Sequence, residues 1–392
     1  MNNILLNSKN WLIANLFSSK LNILLSIFAL FFTYFFVYSL LDFIFVGAQW
    51  KVIDVNLRLL LLGPFPRDAE WRIWTSIYWV AFMSGASYKH LSSFHPKHLM
   101  SLIPIILFIL FLINPFENLL ITLLTGISVI FFMIGYYLIS SKLLKWNMNT
   151  LVIFGWAITL PLIVIFLKIF DGVETTKWGG YFLNIMLAWV GIIFGFLVGL
   201  ILAIGRASSL PAIKYSCTFY IEVIRAAPLV AWLFFAYLVI PDLLPEFFAG
   251  KVDIALRVMI VLSAFTAAYI AEIIRGGLQS VSIGQVEASK ALGMSAYQTT
   301  ALIVLPQAIR AVIPALVSQF IALWKDTTLI LAAGLAFREL LGSGKSALAQ
   351  LEFIGRYNEI YMFIGLLFWI VSFGMSRLSY NFEKDLGLNQ ED

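Results

Sequence analysis

Charge set inside apolar sequence is the first sign of chemistry in this chain. Residues 219–230 read FYIEVIRAAPLV, residues 269–279 read YIAEIIRGGLQ, and residues 324–329 read WKDTTL. An ionised side chain at the centre of a membrane span costs up to about 3 kcal/mol on insertion scales, so each of these charges needs a partner or a task. Glu222 with Arg225 and Glu272 with Arg275 are spaced i, i+3, which puts each pair on one helical face. Two salt bridges near the inner ends of neighbouring spans are therefore expected, with Arg225, Glu272 and Arg275 also able to steady a gate. A carboxylate at Glu222 or Asp326 can hold a solute ammonium group, and Lys325 or a helix end can meet a solute carboxylate. Thr327 and Thr328 add hydroxyls without adding charge.

Residues 287–306, EASKALGMSAYQTTALIVLP, form a polar, patterned loop between long apolar runs. The order is Glu287, Ala288, Ser289, then Gly293, then Ile303, Val304, Leu305 and Pro306. The spacing predicts a short helix over 287–292 whose small residues Ala288, Ser289 and Ala291 share one side and admit another protein's surface. Gly293 can take positive φ and end that helix. A second helix is expected from Met294, with Pro306 tolerated in the first turn of the next span because it has no amide hydrogen to lose. A helix, a sharp turn and a helix presented outside the bilayer make a docking surface rather than a plain connector.

These elements need a membrane. Hydrophobic residues make up 61% of the chain and charged residues 12%, where ordinary globular chains carry about a quarter charged residues. Apolar stretches long enough to cross a hydrocarbon core of about 30 Å recur along the whole length, and their continuity excludes an alternating outer-membrane barrel. About ten spans are predicted, beginning with residues 24–46 and including 72–87, 99–113, 219–240, 308–331 and 360–380. The stretch 21–46 reads as a retained first span rather than a cleaved signal, and 72–87 carries enough Trp and Tyr to lie alternatively along the interface. Basic residues such as Lys142, Lys145, Arg206, Lys214, Lys290 and Lys384 then fall on one side with the patterned loop, which makes that side cytoplasmic and puts both termini there. The net charge of +5 reflects these basic loops and not nucleic acid.

Other chemistries find little support. Cys217 is the only cysteine, so neither an intrachain disulfide nor a cysteine metal cluster can form. His90, His95 and His98 share a loop without acidic company, so no metal is expected. No His-Glu-x-x-His, serine-histidine set or paired aspartates is present, which argues against a membrane-embedded enzyme. Residues 342–346, GSGKS, end like a phosphate-binding loop, but Glu339 stands where that motif needs its first glycine. Nucleotide binding by this chain is not expected.

The patterned loop resembles the cytoplasmic signature loop of permease subunits of ATP-binding-cassette importers, and the three charged constellations resemble the polar amino-acid branch of that family. The likeness covers roughly residues 181–384. Ser289 stands where the family usually has alanine, and Ala226 and Ala227 replace the commoner Gly-Thr before Pro228. The resemblance implies an all-α polytopic membrane protein with a type I importer transmembrane core at 178–392 and a coupling loop at about 276–307. An accessory transmembrane bundle at 1–177 precedes it, as in larger permeases of general L-amino-acid importers. It implies alternating access in a bacterial inner membrane, two ABC ATPase subunits docked on Glu287, Ala288, Ser289, Gly293, Ile303, Leu305 and Pro306, a second homologous permease and an extracytoplasmic amino-acid-binding protein. The solute would be an L-amino acid met by Glu222, Asp326, Thr327 and Lys325. No cofactor would sit on this chain, ATP and magnesium being held by the ATPase subunits. The alternative is an ion-coupled secondary amino-acid transporter using Glu222 or Glu272 as proton sites.

Overall fold

A bilayer offers no water to pair backbone groups, so a chain this apolar must close its hydrogen bonds within helices. The computed structural model describes residues 11, 14–90, 119–140, 148–245, 252–332, 338–385 and 387. Among the described residues there is no strand beyond one isolated bridge between Gly180 and Glu339. Residues 99–113, the third expected span, lie outside the described residues, as do His95, His98, Lys142 and Lys145.

The first unit, Met1–Lys51, contains α1, Lys20–Gly47. Ser19 caps it by accepting from the Asn22 amide at 3.1 Å. No residue of the α-helical part of α1 is buried. A helix that is apolar all round is suited to lipid or to a neighbouring helix.

The second unit, Val52–Asp392, holds the remaining elements. These are α2 Lys51–Leu62, α3 Glu70–His90, α4 Leu119–Ser140, α5 Met148–Lys168, α6 Gly180–Arg206, α7 Pro211–Ala226 and α8 Leu229–Leu243. They continue as α9 Ile254–Ser280, α10 Ile283–Ala291, α11 Ala296–Asp326, α12 Leu340–Leu348 and α13 Tyr357–Asp385. Among the described residues six helices are long and apolar enough to cross a membrane: α1, α5, α6, α9, α11 and α13. The bent pair α7 and α8 makes a seventh if it counts as one span.

The most extensive pairing is α6 against α9. Gly191, Gly195 and Gly199 recur every fourth residue on α6, which lines them along one face. A Cβ on Gly195 would come within 2.8 Å of Thr266, and one on Gly199 within 2.8 Å of the Ala267 carbonyl. Without a hydrophobic driving force between helices in lipid, such close backbone approach supplies the dispersion energy that holds them. The same device joins α3 to α4, where a methyl at Gly85 would strike the Phe132 carbonyl and one at Gly135 the Phe82 carbonyl.

One hydrophobic core runs through both sides of residue 178. Phe65, Ile73, Ile163 and Leu167 pack in the same cluster as Leu183, Leu187, Leu233 and Leu262. Arg72, almost fully buried, donates to the carbonyls of Phe166, Ile169 and Phe170 at the C-terminal end of α5. Those carbonyls have no partner inside their own helix, and Phe170 and Asp171 beyond it take positive φ.

The expected straight span over 219–240 is instead two helices meeting at 100°. Pro228 cannot donate to a helical ladder, and its ring pushes Ala227 into the extended conformation seen there, φ −112° and ψ 149°. Read by length alone, residues 219–240 fit a single span, and that hid the break. A further widened turn at Phe235–Val239 leaves carbonyls that Arg257 meets, donating to Ala236 and Tyr237 at 3.2 and 3.3 Å.

Gly195→Leu is expected to lower stability by about 2 kcal/mol through overpacking against Thr266. Gly126→Ala, where an added Cβ meets nothing within 4 Å, should raise it by about 0.5–1 kcal/mol. Thermal unfolding of both variants in one detergent checks the contrast, and equal midpoints would contradict it.

Candidate functional site

The patterned loop begins where α9 leaves the core. After Ser280, α10 runs over Ile283–Ala291 and ends on Gly293, which takes φ +77°. The Met294 amide donates to the Ser289 carbonyl at 3.1 Å and the Gly293 amide to Lys290 at 2.9 Å. This pair of bonds is the Schellman ending, which satisfies carbonyls that a helix terminus would leave open. Ser295 then opens α11 with a capping box, its hydroxyl accepting from the Gln298 amide and the Gln298 side chain accepting from the Ser295 amide.

Small residues were expected to share one side of α10, and the structure separates them. Successive helical residues point about 100° apart, so Ala288 and Ala291 are exposed while Ser289 turns inward. Its hydroxyl donates to the Val286 carbonyl at 2.8 Å and lies 2.9 Å from the Thr299 hydroxyl, also buried. The serine pins α10 to the first turns of α11. Glu287, Gly293 and Pro306 are exposed, and Ile303 and Leu305 are half-buried. The outward face also carries Ile283, Leu292 and Tyr297, each at least three-quarters exposed. The sequence reading missed these three because so short a helix gives no periodic signal.

At the same end of the bundle the charges gather into one cluster. Glu272 on α9 accepts from Arg275 and pairs with Arg206 at 2.5 Å and Arg225 at 3.4 Å. Glu222 pairs with Arg206 at 3.0 Å, not with Arg225 as its spacing suggested. Arg225 instead lies over the Tyr269 ring, 5.5 Å from its centre. The expected Glu272–Arg275 pair is present, and Arg206, at the last residue of α6, is the added member that ties α6, α7 and α9 together.

Asp326, Lys325 and Thr327 lie at the opposite end. Thr327 is fully buried, accepts from the Asn184 side-chain amide at 2.9 Å and donates to the Trp324 carbonyl at 2.8 Å. Asp326 is half-buried and Lys325 exposed. Asn184 and Arg206, the α6 partners of Thr327 and Glu222, stand about 33 Å apart at 1.5 Å per residue. One small solute cannot touch Glu222 and Asp326 together.

Residues 191–387, half of the chain, match the family described as binding-protein-dependent transport system inner membrane component. The chain belongs to that family. It is 37% identical over 235 residues to the inner membrane amino-acid ABC transporter permease protein YhdY of Escherichia coli K12, covering 59% of this chain and 63% of that protein. It is 39% identical over 214 residues to the glutamate/glutamine/aspartate/asparagine transport system permease protein BztC of Rhodobacter capsulatus, covering 55% of this chain and 49% of the relative. With the glutamate/aspartate import permease protein GltK of Escherichia coli O157:H7 it shares 37% identity over 204 residues, 51% of this chain and 88% of that one. The chain thus spans about half to two thirds of the length of its two larger relatives. As a member of this family it is a multi-pass inner-membrane transport component.

In this member of the family, residues 342–346 sit within α12 as ordinary helix. Glu339 caps that helix, its carboxylate accepting from the Leu341 and Gly342 amides at 2.6 and 3.0 Å. The amides that a phosphate would need are already bound by the chain's own carboxylate. Neighbouring bonds lock the cap in place: the Leu340 amide donates to Asn184 at 2.9 Å and the Gly180 amide to the Arg338 carbonyl at 2.6 Å. Burial pushes the Glu339 carboxyl from the usual 4.5 up to about 7, against the pull of the two amides, Asn184 and Lys345. The folded protein therefore keeps this proton to near pH 7 while the unfolded chain releases it near 4.5. The stabilisation this gives is full below about pH 4.5 and is lost as pH rises through 7. Unfolding midpoints between pH 5 and 8 should fall in the native protein and fall less in Glu339→Gln. Parallel slopes would contradict the assignment.

Proposed function

We propose that this chain is a permease subunit of an ATP-driven type I importer that moves L-amino acids across the inner membrane by alternating access. The observation that carries the reading is the exposed α10 elbow, rigidly capped and continuous with both α9 and α11. Family membership supports it over an ion-coupled secondary transporter, and relatives named for amino-acid transport support the solute class.

Two ABC ATPase subunits, a second homologous permease and an extracytoplasmic amino-acid-binding protein complete the assembly. ATP and magnesium reside on the ATPase subunits, and this chain holds no cofactor. Closure of the ATPase pair displaces the elbow through Ile283, Leu292, Tyr297 and Glu287. Because α9 carries Glu272, that displacement acts on a cluster binding α6 and α7 as well. The cluster then works as an inner gate whose arginines exchange partners as α7 moves. Asp326 and Lys325 meet the solute ammonium and carboxylate at the outer mouth, and Glu222 meets the ammonium at the inner one. Thr327, its hydroxyl used by Asn184 and Trp324, holds Asp326 in position.

Gly293→Asp places a β-carbon where φ is +77°, a strain of about 1–2 kcal/mol that distorts the elbow without touching the membrane core. Reconstituted with its partners, the variant should insert normally and lose solute-stimulated ATP hydrolysis by an order of magnitude or more. Normal coupling would overturn the use assigned to the loop. Asp326→Asn should weaken solute stimulation by roughly ten-fold, the worth of one charge-assisted contact, and unchanged affinity and rate would return that carboxylate to a structural role.

A further inference from the structure

A crevice of ≈ 1090 Å³ opens between α5 on the accessory side and α6 and α9. Its lining runs from Lys168 to Leu160 on α5, from Met186 to Val198 on α6, and from Asp253 to Ala264 on α9. At 1.5 Å per residue these stripes are about 12, 18 and 16 Å deep. One leaflet of a hydrocarbon core of about 30 Å is about 15 Å. The three helices therefore agree on a slot one leaflet deep.

Its chemistry is divided by depth. Below the rim the walls are apolar, with Ile165, Phe194 and Ile260 exposed and Ser263 spending its hydroxyl on the Met259 carbonyl at 2.7 Å. Tyr220 at the deep end likewise donates to the Ala264 carbonyl at 3.0 Å. Polar groups collect at the end of the bundle opposite the α10 elbow. There the Lys168 ammonium lies 6.0 Å from the centre of the Trp178 ring and joins no ion pair among the described residues. Glu174 accepts from Thr176 at 3.2 Å through one oxygen, and its other oxygen has no partner among the described residues. Asp253 is already used, accepting from the Leu256 amide and the Thr175 hydroxyl.

We infer that this crevice is a binding site for one outer-leaflet phospholipid with a zwitterionic amine headgroup, phosphatidylethanolamine in its chemistry. Acyl chains fill the apolar slot, the phosphate meets Lys168 and the ammonium meets Glu174. A purely anionic lipid would leave Glu174 facing like charge. The consequence is that part of the seam between α5 and the family core is sealed by lipid rather than by side chains.

The test uses the purified protein with whatever subunits accompany it. A photo-reactive residue at position 260, activated in native membranes, should give an adduct with the mass of phosphatidylethanolamine. An adduct to another polypeptide, or none to lipid, overturns the inference. After detergent washing, lipid extraction and mass spectrometry should find phosphatidylethanolamine retained by the native protein and by Lys168→Arg. Lys168→Glu should retain about ten-fold less, as the loss of one charge-assisted contact implies, and Ile260→Trp should lose most of it by filling the slot. Equal retention in Ile260→Trp and the native protein would also overturn the inference, and the photo-adduct keeps the test decisive if that variant fails to fold.

Discussion

Gly195 and Gly199 on α6 let α9 approach until backbone nearly meets side chain, and in a bilayer that contact cannot be replaced by hydrophobic burial. Much else hangs on α9. Its other faces take α11, its loop end carries Glu272 and the arginines gathered around it, and its continuation is the elbow. A force applied at α10 therefore reaches helices that are packed too closely to yield separately. On the proposed reading, loosening the seam would leave the elbow formed but mechanically idle.

The charge cluster adds direction to that rigidity. A carboxylate shared by several guanidinium groups loses little when one exchanges for another, whereas removal of the carboxylate strands them all. Glu272 is the least exposed of the charged groups here, and Glu222 the most. The pair Arg206–Glu222 is thus the contact most readily given up to solvent, which leaves Arg225–Glu272 as the remaining ion pair between α7 and the cluster.

Much of this was legible in the sequence where local chemistry decides the outcome. Gly293 announced the left-handed turn that the structure contains, and the second helix expected from Met294 is present, opening at Ala296 behind the Ser295–Gln298 cap. What escaped were arrangements set by packing. Arg206 lies many residues from Glu272 and joins it only because α6 and α9 cross; Ser289 turned inward because Thr299 was there to meet it. The bend at Pro228 was masked because residues 219–240 have the length of one span, although Ala227 and Pro228 carried the signal. Glu339 was weighed only as a defect in a nucleotide motif, and its role as a helix cap depends on the burial of α12 against α6.

The central claim is that the α10 elbow transmits work from a motor subunit to these helices. With Cys217 replaced by alanine, single cysteines at Leu292 and Tyr297 can be cross-linked in sealed inner-membrane vesicles containing the whole assembly. The account predicts a cross-link to an ATPase subunit whose yield changes between ATP-bound and nucleotide-free states. Labelling of those cysteines from the outer face alone, or no cross-link to the ATPase in either state, would contradict it.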